Sequence, residues 1–385
     1  MHLRKLLLPV LSMCLTGVAH ADIRVGVDLS TTGPAAAIGI PSQNTVQLWP
    51  QTLGGQRAQY IVLDDASDPS AAVRNVRKFI SEDKVDVIVG PNITPNAIAA
   101  LDAVAESGTP MVALAASASI VEPQDDGRRR WAFKMPQNDA LMASLLAEHM
   151  ASNGVKTVGF IGFNDAYGES WWREFSKMAE LRHLRVVAQE RFGRMDTTVT
   201  GQVLKLMSAN PDAILIAGSG TPPALPQKSL NERGYKGQIY QTHGIATWEF
   251  LRIGGKDVER TLFPTGPVVV ARELPDSHPA KKVALDFVKR YETKHGPDTV
   301  TQFAGDAWGA WQLLDDASRR ALKSGAQPGT PAFRRALRDA IESTKNLTVP
   351  NGVLNLSAQD HQGFDQRARV MGTIRNGKFA YAGDK

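Results

Sequence analysis

The stretch Tyr60-Ile61-Val62-Leu63-Asp64-Asp65-Ala66-Ser67-Asp68-Pro69 joins an apolar run to the start of a helix. Residues 60–63 predict a buried strand that ends at two aspartates. Asp68 is a good N-cap, and Pro69 suits the first helical turn. Beyond Pro69, one helical face is apolar over three turns, which indicates a helix packed on a sheet: Ala72, Val73, Val76, Phe79 and Ile80.

The same strand-then-helix unit recurs along the chain. Further strands are predicted at residues 23–27, 85–89, 111–114, 157–161, 184–188, 213–217 and 238–241, with helices at 95–106, 139–152, 168–181, 197–209 and 225–233. Strands that alternate with helices are typical of parallel sheets covered on both faces. Because the pattern restarts near residue 138 and the chain has 385 residues, we expect an α/β protein with two doubly wound parallel-sheet lobes.

The first 21 residues are typical of a secretory signal peptide. They combine a basic start, an apolar run at 6–18 and the sequence Ala19-His20-Ala21, which resembles a cleavage site. The run is shorter than the ~20 residues of a membrane-spanning helix. Cys14, the only cysteine, lies within it and leaves a lipid anchor as an alternative. The segment predicts a protein that works outside the cytoplasm.

Composition and motifs argue against several classes of protein. The net charge is only +5, and Arg128-Arg129-Arg130 is too short for a nucleic-acid face. No nucleophile–base motif, phosphate loop followed by a helix, or metal-ligand spacing occurs. Asn376-Gly377 instead predicts a hairpin turn. We therefore expect no enzyme activity, no cofactor, no metal and no nucleic-acid partner.

Small and hydroxyl residues follow several predicted strands, where ligands bind in open α/β sheets. Four loops are of this kind: 30–34, 90–94, 115–119 and 164–168. Small residues let backbone N–H groups approach an anion, and hydroxyls add donors. Ordinary capped turns would also explain them.

In this order, these loops resemble the leucine/isoleucine/valine-binding family of type I periplasmic solute receptors of ABC importers. The matching stretches are Ser30-Thr31-Thr32-Gly33-Pro34 with Gly39, Leu53-Gly54-Gly55, Asp64 to Pro69, Ile88-Val89-Gly90-Pro91, Ala115-Ala116-Ser117 and Asp165-Ala166-Tyr167-Gly168.

The resemblance implies two lobes joined by three crossover segments, with the ligand between them. We place the first lobe at residues 22–137 plus 268–345 and the second at 138–267 plus 346–385. The helices predicted at 279–295, 300–324 and 331–343 then cover the first sheet. Crossovers are expected near 133–139, 262–268 and 346–353.

The resemblance also implies binding residues. Thr94, Ala115 and Ser117 would hold a ligand carboxylate, and Tyr167 would lie over the ligand. Thr32, in the first matching loop, is included in the predicted site.

Three further positions depart from the amino-acid-binding pattern. His243 stands where relatives often carry an acid for the α-ammonium group, and Ile38 and Gly220 stand where tyrosines are common. A buried ammonium without a carboxylate is unfavourable. A bulkier carboxylate without an α-amino group, such as an aromatic acid, is therefore favoured. The alternative is an ammonium partner elsewhere, such as Asp165 or Glu249.

The predicted function is a periplasmic substrate-binding protein, expected to be monomeric, that delivers a small carboxylate to an inner-membrane ABC permease. Two alternatives remain open: capture of branched-chain amino acids, and a sensor that reports ligand to a membrane signalling partner.

Overall fold

The computed structural model describes residues 21–124 and 127–383, which form two large sheets covered by helices. The predicted signal peptide lies outside these residues except for Ala21. The strands are β1 Ile23–Leu29, β2 Thr52–Leu53, β3 Gln56–Asp64, β4 Val87–Val89, β5 Met111–Ala113, β6 Ala132–Lys134, β7 Thr157–Phe163, β8 Arg185–Phe192, β9 Ala213–Ala217, β10 Gln238–Gln241, β11 Leu262–Thr265, β12 Leu347–Val349, β13 Gly352–Leu354, β14 Val370–Arg375 and β15 Lys378–Tyr381. The α-helices are α1 Ala36–Val46, α2 Pro69–Ser81, α3 Thr94–Ala99, α4 Leu101–Ser107, α5 Asp139–Ser152, α6 Ala166–Leu181, α7 Thr200–Ser208, α8 Ala224–Glu232, α9 Trp248–Gly254, α10 Lys281–His295, α11 Gln302–Leu322 and α12 Pro331–Glu342.

The first sheet has the strand order β2-β3-β1-β4-β5-β6. All neighbouring strands are parallel except β2, which pairs antiparallel with β3. Its two faces are buried by α1, α10, α11 and α12 on one side and by α2, α3 and α4 on the other. We call this sheet with its helices the first lobe. The order reverses at β1, which lies between β3 and β4, so the loops after β1 and β4 diverge there and open a crevice.

The second sheet has the order β15-β14-β11-β10-β9-β7-β8. Strands β7 to β11 are parallel, whereas β14 and β15 continue the sheet as antiparallel strands. With α5 to α9, this sheet forms the second lobe. The two doubly wound lobes are confirmed, although each sheet carries antiparallel strands at one edge. The hairpin is also confirmed, since Asn376 and Gly377 both have positive φ between β14 and β15.

Six of the twelve α-helices in the described residues begin at a side-chain N-cap: α2, α5, α6, α9, α11 and α12. The Asp68 carboxylate accepts a hydrogen bond from Ala71 N at 2.7 Å, as its N-cap position predicts. Asp165 caps α6 in the same way by accepting from the backbone of Tyr167. The single helix predicted over residues 95–106 is instead two helices, α3 and α4, which meet at Ala100.

The chain after α12 contributes to both lobes. Strands β14 and β15 join the second sheet, but Val349, Leu354 and Phe364 lie in the hydrophobic cluster of the first sheet. Apolar side chains of residues 349–368 therefore pack against the first lobe, whereas residues 346–385 were predicted to belong to the second lobe. The exact lobe boundaries stay a prediction.

Candidate functional site

A small cavity of about 20 Å³ lies between the two lobes, where the carboxyl ends of the parallel strands face each other. The first lobe contributes α1, α11, the start of α3 and the loops after β4, β5 and β6. The second lobe contributes the loops after β8, β9 and β10 and the start of α6. The wall is formed by Ile38, Asn92, Ile93, Thr94, Leu114, Ala115, Ala116, Pro136, Tyr167, Arg194, Ser219, His243, Gly244 and Phe303.

The wall of the first lobe is apolar with two unpaired polar atoms. Asn92 Oδ1 accepts a hydrogen bond from Ser30 N at 2.9 Å, which leaves Asn92 Nδ2 buried without a partner among the described residues. Thr94 Oγ1 is likewise buried and unpaired there. A buried polar group without a partner is unfavourable by ~1–3 kcal/mol. These two side chains can therefore hydrogen-bond a solute.

Tyr167 forms the facing wall in the second lobe. It is the second residue of α6, and its side chain is buried. Its hydroxyl lies 2.9 Å from Thr242 Oγ1, and Thr242 in turn donates to Gly218 O at 2.7 Å. Burial raises the pKa of the Tyr167 phenol, so the group is neutral. Since its oxygen is bonded within the lobe, Tyr167 offers its ring to the cavity.

His243 follows β10 and is almost completely buried, with Nδ1 unpaired among the described residues. Burial, with a smaller contribution from the charge of Lys134, lowers the pKa of His243 to about 3. The imidazole is therefore neutral near pH 7. Its ring lies 5.6 Å from that of Trp171. A neutral imidazole can donate to or accept from a solute, but it provides no charge for an ammonium or a carboxylate.

Arg194 carries the only charge among the fourteen lining residues. Its Nε donates to Asp165 Oδ2 at 2.6 Å and its Nη1 to Ser219 Oγ at 3.2 Å. The guanidinium also lies 4.2 Å from the centre of the Phe163 ring. These contacts hold the arginine in one position, so the second lobe presents a fixed cation at the cavity wall.

No carboxylate is among the residues that line this cavity. Asp165 is occupied by Arg194 and by the backbone N–H groups of Tyr167 and Gly168. Glu249 lies on α9 and is also outside the lining. Throughout residues 21–124 and 127–383, no cluster of acidic, histidine or cysteine side chains could hold a metal ion. No helix in these ranges is long and apolar enough to cross a membrane.

The predicted site residues divide into two groups. Those that line the cavity are Ile38, Thr94, Ala115, Tyr167 and His243. The structure places Thr32, Ser117 and Gly220 outside the lining. Thr32 is exposed and donates to Asp64 Oδ2 at 2.6 Å.

The other two residues lie close to the lobe interface. Ser117 is fully buried and bonds to Ser170 of the opposite lobe. A side chain at Gly220 would place its Cβ 3.8 Å from Ile38 Cδ1, so these two positions face each other across the lobes. Gly220 also has a φ of +71°, which favours glycine.

Nine of the fourteen lining residues were missed from the sequence, among them the polar residues Asn92 and Arg194. Asn92 lies in a loop that was recognised, but its side chain was not selected. Arg194 lies in a loop that was not recognised, because β8 extends to Phe192 rather than ending near residue 188. If the end of β8 had been predicted at Phe192, the loop after it would have identified Arg194 as a candidate.

The profile of the periplasmic binding protein family matches residues 22–378. The chain belongs to this family. Within it, Leu/Ile/Val-binding protein homolog 3 of Brucella melitensis is 25% identical over 328 residues, which are 83% of this chain and 84% of that protein. The family resemblance seen in the sequence is thereby confirmed.

Solved periplasmic binding proteins share the two-lobed fold. An extracellular ligand-binding receptor from Rhodopseudomonas palustris HaA2 is 44% identical, with a TM-score of 0.90 over 94% of this chain and 100% of that one. A solute-binding protein of an R. palustris ABC transporter, solved in complex with benzoate, is 21% identical, with a TM-score of 0.80 over 94% of this chain and 96% of that one. This chain therefore has the fold of the type I periplasmic binding proteins.

Proposed function

We propose that this protein captures an aromatic or similarly bulky carboxylate between its lobes and delivers it to an inner-membrane ABC permease. The family supports the receptor role, because its members are periplasmic solute receptors. The protein would act in the periplasm as a monomer, after removal of the predicted signal peptide. Binding and closure would be its whole activity.

The charge pattern of the cavity carries the proposal. An α-amino acid brings an ammonium group, which needs a buried counter-charge. The lining includes no acid, and the charge of its one cation, Arg194, is paired with Asp165 outside the lining. An anionic solute without an amino group matches this wall, whereas an amino acid leaves its ammonium unpaired.

The unpaired polar atoms suggest how such a solute would be held. Thr94 Oγ1 and Asn92 Nδ2 in the first lobe would donate to the carboxylate, beside the backbone at Ala115. His243 Nδ1 and Arg194 in the second lobe would face the other end of the solute. The ring of Tyr167 and the side chains of Ile38 and Phe303 would enclose its apolar body. The benzoate bound to the structural neighbour is a solute of this class.

Branched-chain amino acids are the second candidate. The names of the curated relatives favour them, since these are Leu/Ile/Val-binding proteins or their homologues.

A ligand screen decides between the two candidates. Residues 22–385, purified and dialysed after partial unfolding to remove bound solute, are tested by thermal shift and calorimetry.

The screen compares benzoate, cinnamate and 4-hydroxybenzoate with leucine, isoleucine and valine. We expect at least one aromatic acid to stabilise the protein by ~2.7 kcal/mol at 100 times its Kd. The amino acids should bind weakly or give no shift. Sub-micromolar binding of leucine without a response to any acid would overturn the proposal in favour of the second candidate.

A further inference from the structure

Ser117 and Ser170 join the two lobes through a buried hydrogen bond. Ser117 lies in the loop after β5 of the first lobe, and its Oγ donates to Ser170 Oγ on α6 of the second lobe at 2.8 Å. Both side chains are almost completely excluded from solvent. Ala116, next to Ser117, packs in the hydrophobic cluster of the second lobe. The loop therefore inserts into the opposite lobe when the two lobes are together.

A second hydrogen bond links this pair of serines to the carboxylate of Asp139. Ser170 donates to Asp139 Oδ2 at 2.6 Å, and Asp139 is the first residue of α5 in the second lobe. Ser119 Oγ lies 2.6 Å from Ser117 Oγ. Because Ser117 uses its own proton for the bond to Ser170, Ser119 can donate to Ser117 Oγ. The four groups thus form one chain of hydrogen bonds, in which each hydroxyl donates towards Asp139. A hydrogen bond that ends on a carboxylate is stronger than one between neutral groups.

We infer that this chain of hydrogen bonds is a latch, that is, an interaction between the lobes that stabilises the closed receptor. Ser117 and Ser170 are then positioning residues for solute capture. Ser117 Oγ donates across the lobes and so holds them together rather than the solute. The latch rests on the proposed function only in that a solute is captured by lobe closure. In an open receptor water would bond to both serines, so their mutual bond acts on the closed form alone.

The order of these hydrogen bonds determines which of them each substitution removes. Ser117→Ala removes the bond between the lobes but leaves Ser170 bonded to Asp139. Ser170→Ala removes the same bond and also deprives Asp139 Oδ2 of its donor. Ser176→Ala is the matched control, because Ser176 lies on the same helix and donates to Trp172 O within that helix at 2.6 Å.

Lobe closure can be measured without any solute. The only cysteine of the chain is Cys14, within the predicted signal peptide, so residues 22–385 accept labels at chosen sites. Glu106→Cys on α4 and Leu204→Cys on α7 place one exposed spin label on each lobe. Electron–electron distance measurements then give the ratio of closed to open molecules, with and without 10 mM benzoate.

We expect Ser117→Ala and Ser170→Ala each to lower the closed-to-open ratio about 3- to 10-fold, as the loss of one net hydrogen bond predicts. Ser176→Ala should leave it unchanged. The double variant should lower the ratio no further than Ser170→Ala alone, because both substitutions remove one shared bond. In stopped-flow experiments with the best acid of the screen, the dissociation rate should rise by a similar factor while the association rate changes little.

Additive effects of the two substitutions would show that Ser117 and Ser170 act separately, and would overturn the latch. Wild-type ratios in both variants would do the same. If Ser170→Ala does not fold, Ser117→Ala carries the test, because it leaves Asp139 bonded. If no acid binds, the proposed function fails, yet the closed-to-open ratio of the solute-free protein still decides the latch.

Discussion

The hydroxyl oxygen of Tyr167 lies 2.9 Å from Thr242 Oγ1, so the phenol is bonded within the second lobe. The ring is thereby fixed at the cavity wall by two contacts, its own helix and this hydrogen bond. A tyrosine used in this way contributes surface rather than a donor. This distinction leads to a specific expectation for two substitutions at the same position.

We expect Tyr167→Phe to change the Kd of the bound solute less than about fivefold. Thr242 keeps its bond to Gly218 O, and the ring stays in place. Tyr167→Ala removes the ring and should weaken binding by at least ~2 kcal/mol, or about 30-fold. Calorimetry measures both variants, with circular dichroism as a check of folding. An equal loss in the two variants would mean that the hydroxyl contacts the solute.

Thr94→Val should weaken solute binding about 10- to 150-fold. Thr94 Oγ1 is buried, unpaired among the described residues, and part of the cavity wall. A hydrogen bond to a charged carboxylate contributes ~1.5–3 kcal/mol. Thr293→Val is the control, since Thr293 is exposed and bonds within α10. Calorimetry that gives both variants the wild-type affinity would remove Thr94 from the site.

Solute binding should make the molecule more compact. Residues from both lobes line one cavity, so a solute can contact both only when the lobes are together. Small-angle scattering of the dialysed protein should give a larger radius of gyration than the same sample saturated with its solute. An unchanged radius would count against closure by a hinge.

The cavity shows which parts of a binding site local sequence patterns can predict. The predicted strand ends identified three loops that supply its wall, 90–94, 115–119 and 164–168, because the ends of parallel strands meet in this fold. The choice of Thr94, Ala115 and Tyr167 within these loops, and of His243 outside them, came from the resemblance to the leucine/isoleucine/valine-binding family. The position of each loop depends only on where one strand ends, and all three loops contribute residues to the cavity wall.

Other features depended on information that is not local. Arg194 was missed because polar residues at the end of β8 hide the strand, whose edge position lets one face reach solvent. Thr32 and Ser117 lie in recognised loops, but their hydroxyls are bonded to Asp64 and Ser170. Ser170 belongs to the other lobe, and no pattern within one loop encodes that pairing.

The buried His243 should also produce a pH dependence of stability. The pKa of His243 is lowered from 6.5 to about 3 in the folded protein, so below pH 6.5 the unfolded chain binds the proton more readily. Stability from this residue is complete above pH 6.5 and is lost as the pH falls towards 3. The loss approaches ~1.4 kcal/mol per pH unit.

His243→Gln isolates this effect from that of other buried groups. The pKa of Asp139 is raised to about 6 and that of Asp306 to about 7, mainly by burial, and both act in the opposite direction. They are present in both proteins, so their effects cancel in the difference. Urea unfolding at pH 7.5 and 4.5 should show the wild type losing ~2–3 kcal/mol more than the variant. Parallel losses would mean that His243 titrates normally.

His243→Glu tests the class of solute directly. It places a carboxylate in the second lobe at the position where relatives often hold the ammonium group of an amino acid. An aromatic acid should then bind at least ~10-fold more weakly, because an added buried charge faces a solute that offers no cation. Leucine should bind more tightly than to the wild type, because its ammonium gains a counter-charge. His243→Gln keeps a neutral hydrogen-bonding side chain and should affect both solutes less. Calorimetry at pH 7.5 with benzoate, cinnamate and leucine compares the three proteins. If His243→Glu leaves acid binding intact and abolishes a wild-type affinity for leucine, then His243 itself serves an amino acid, and the aromatic acid assignment fails.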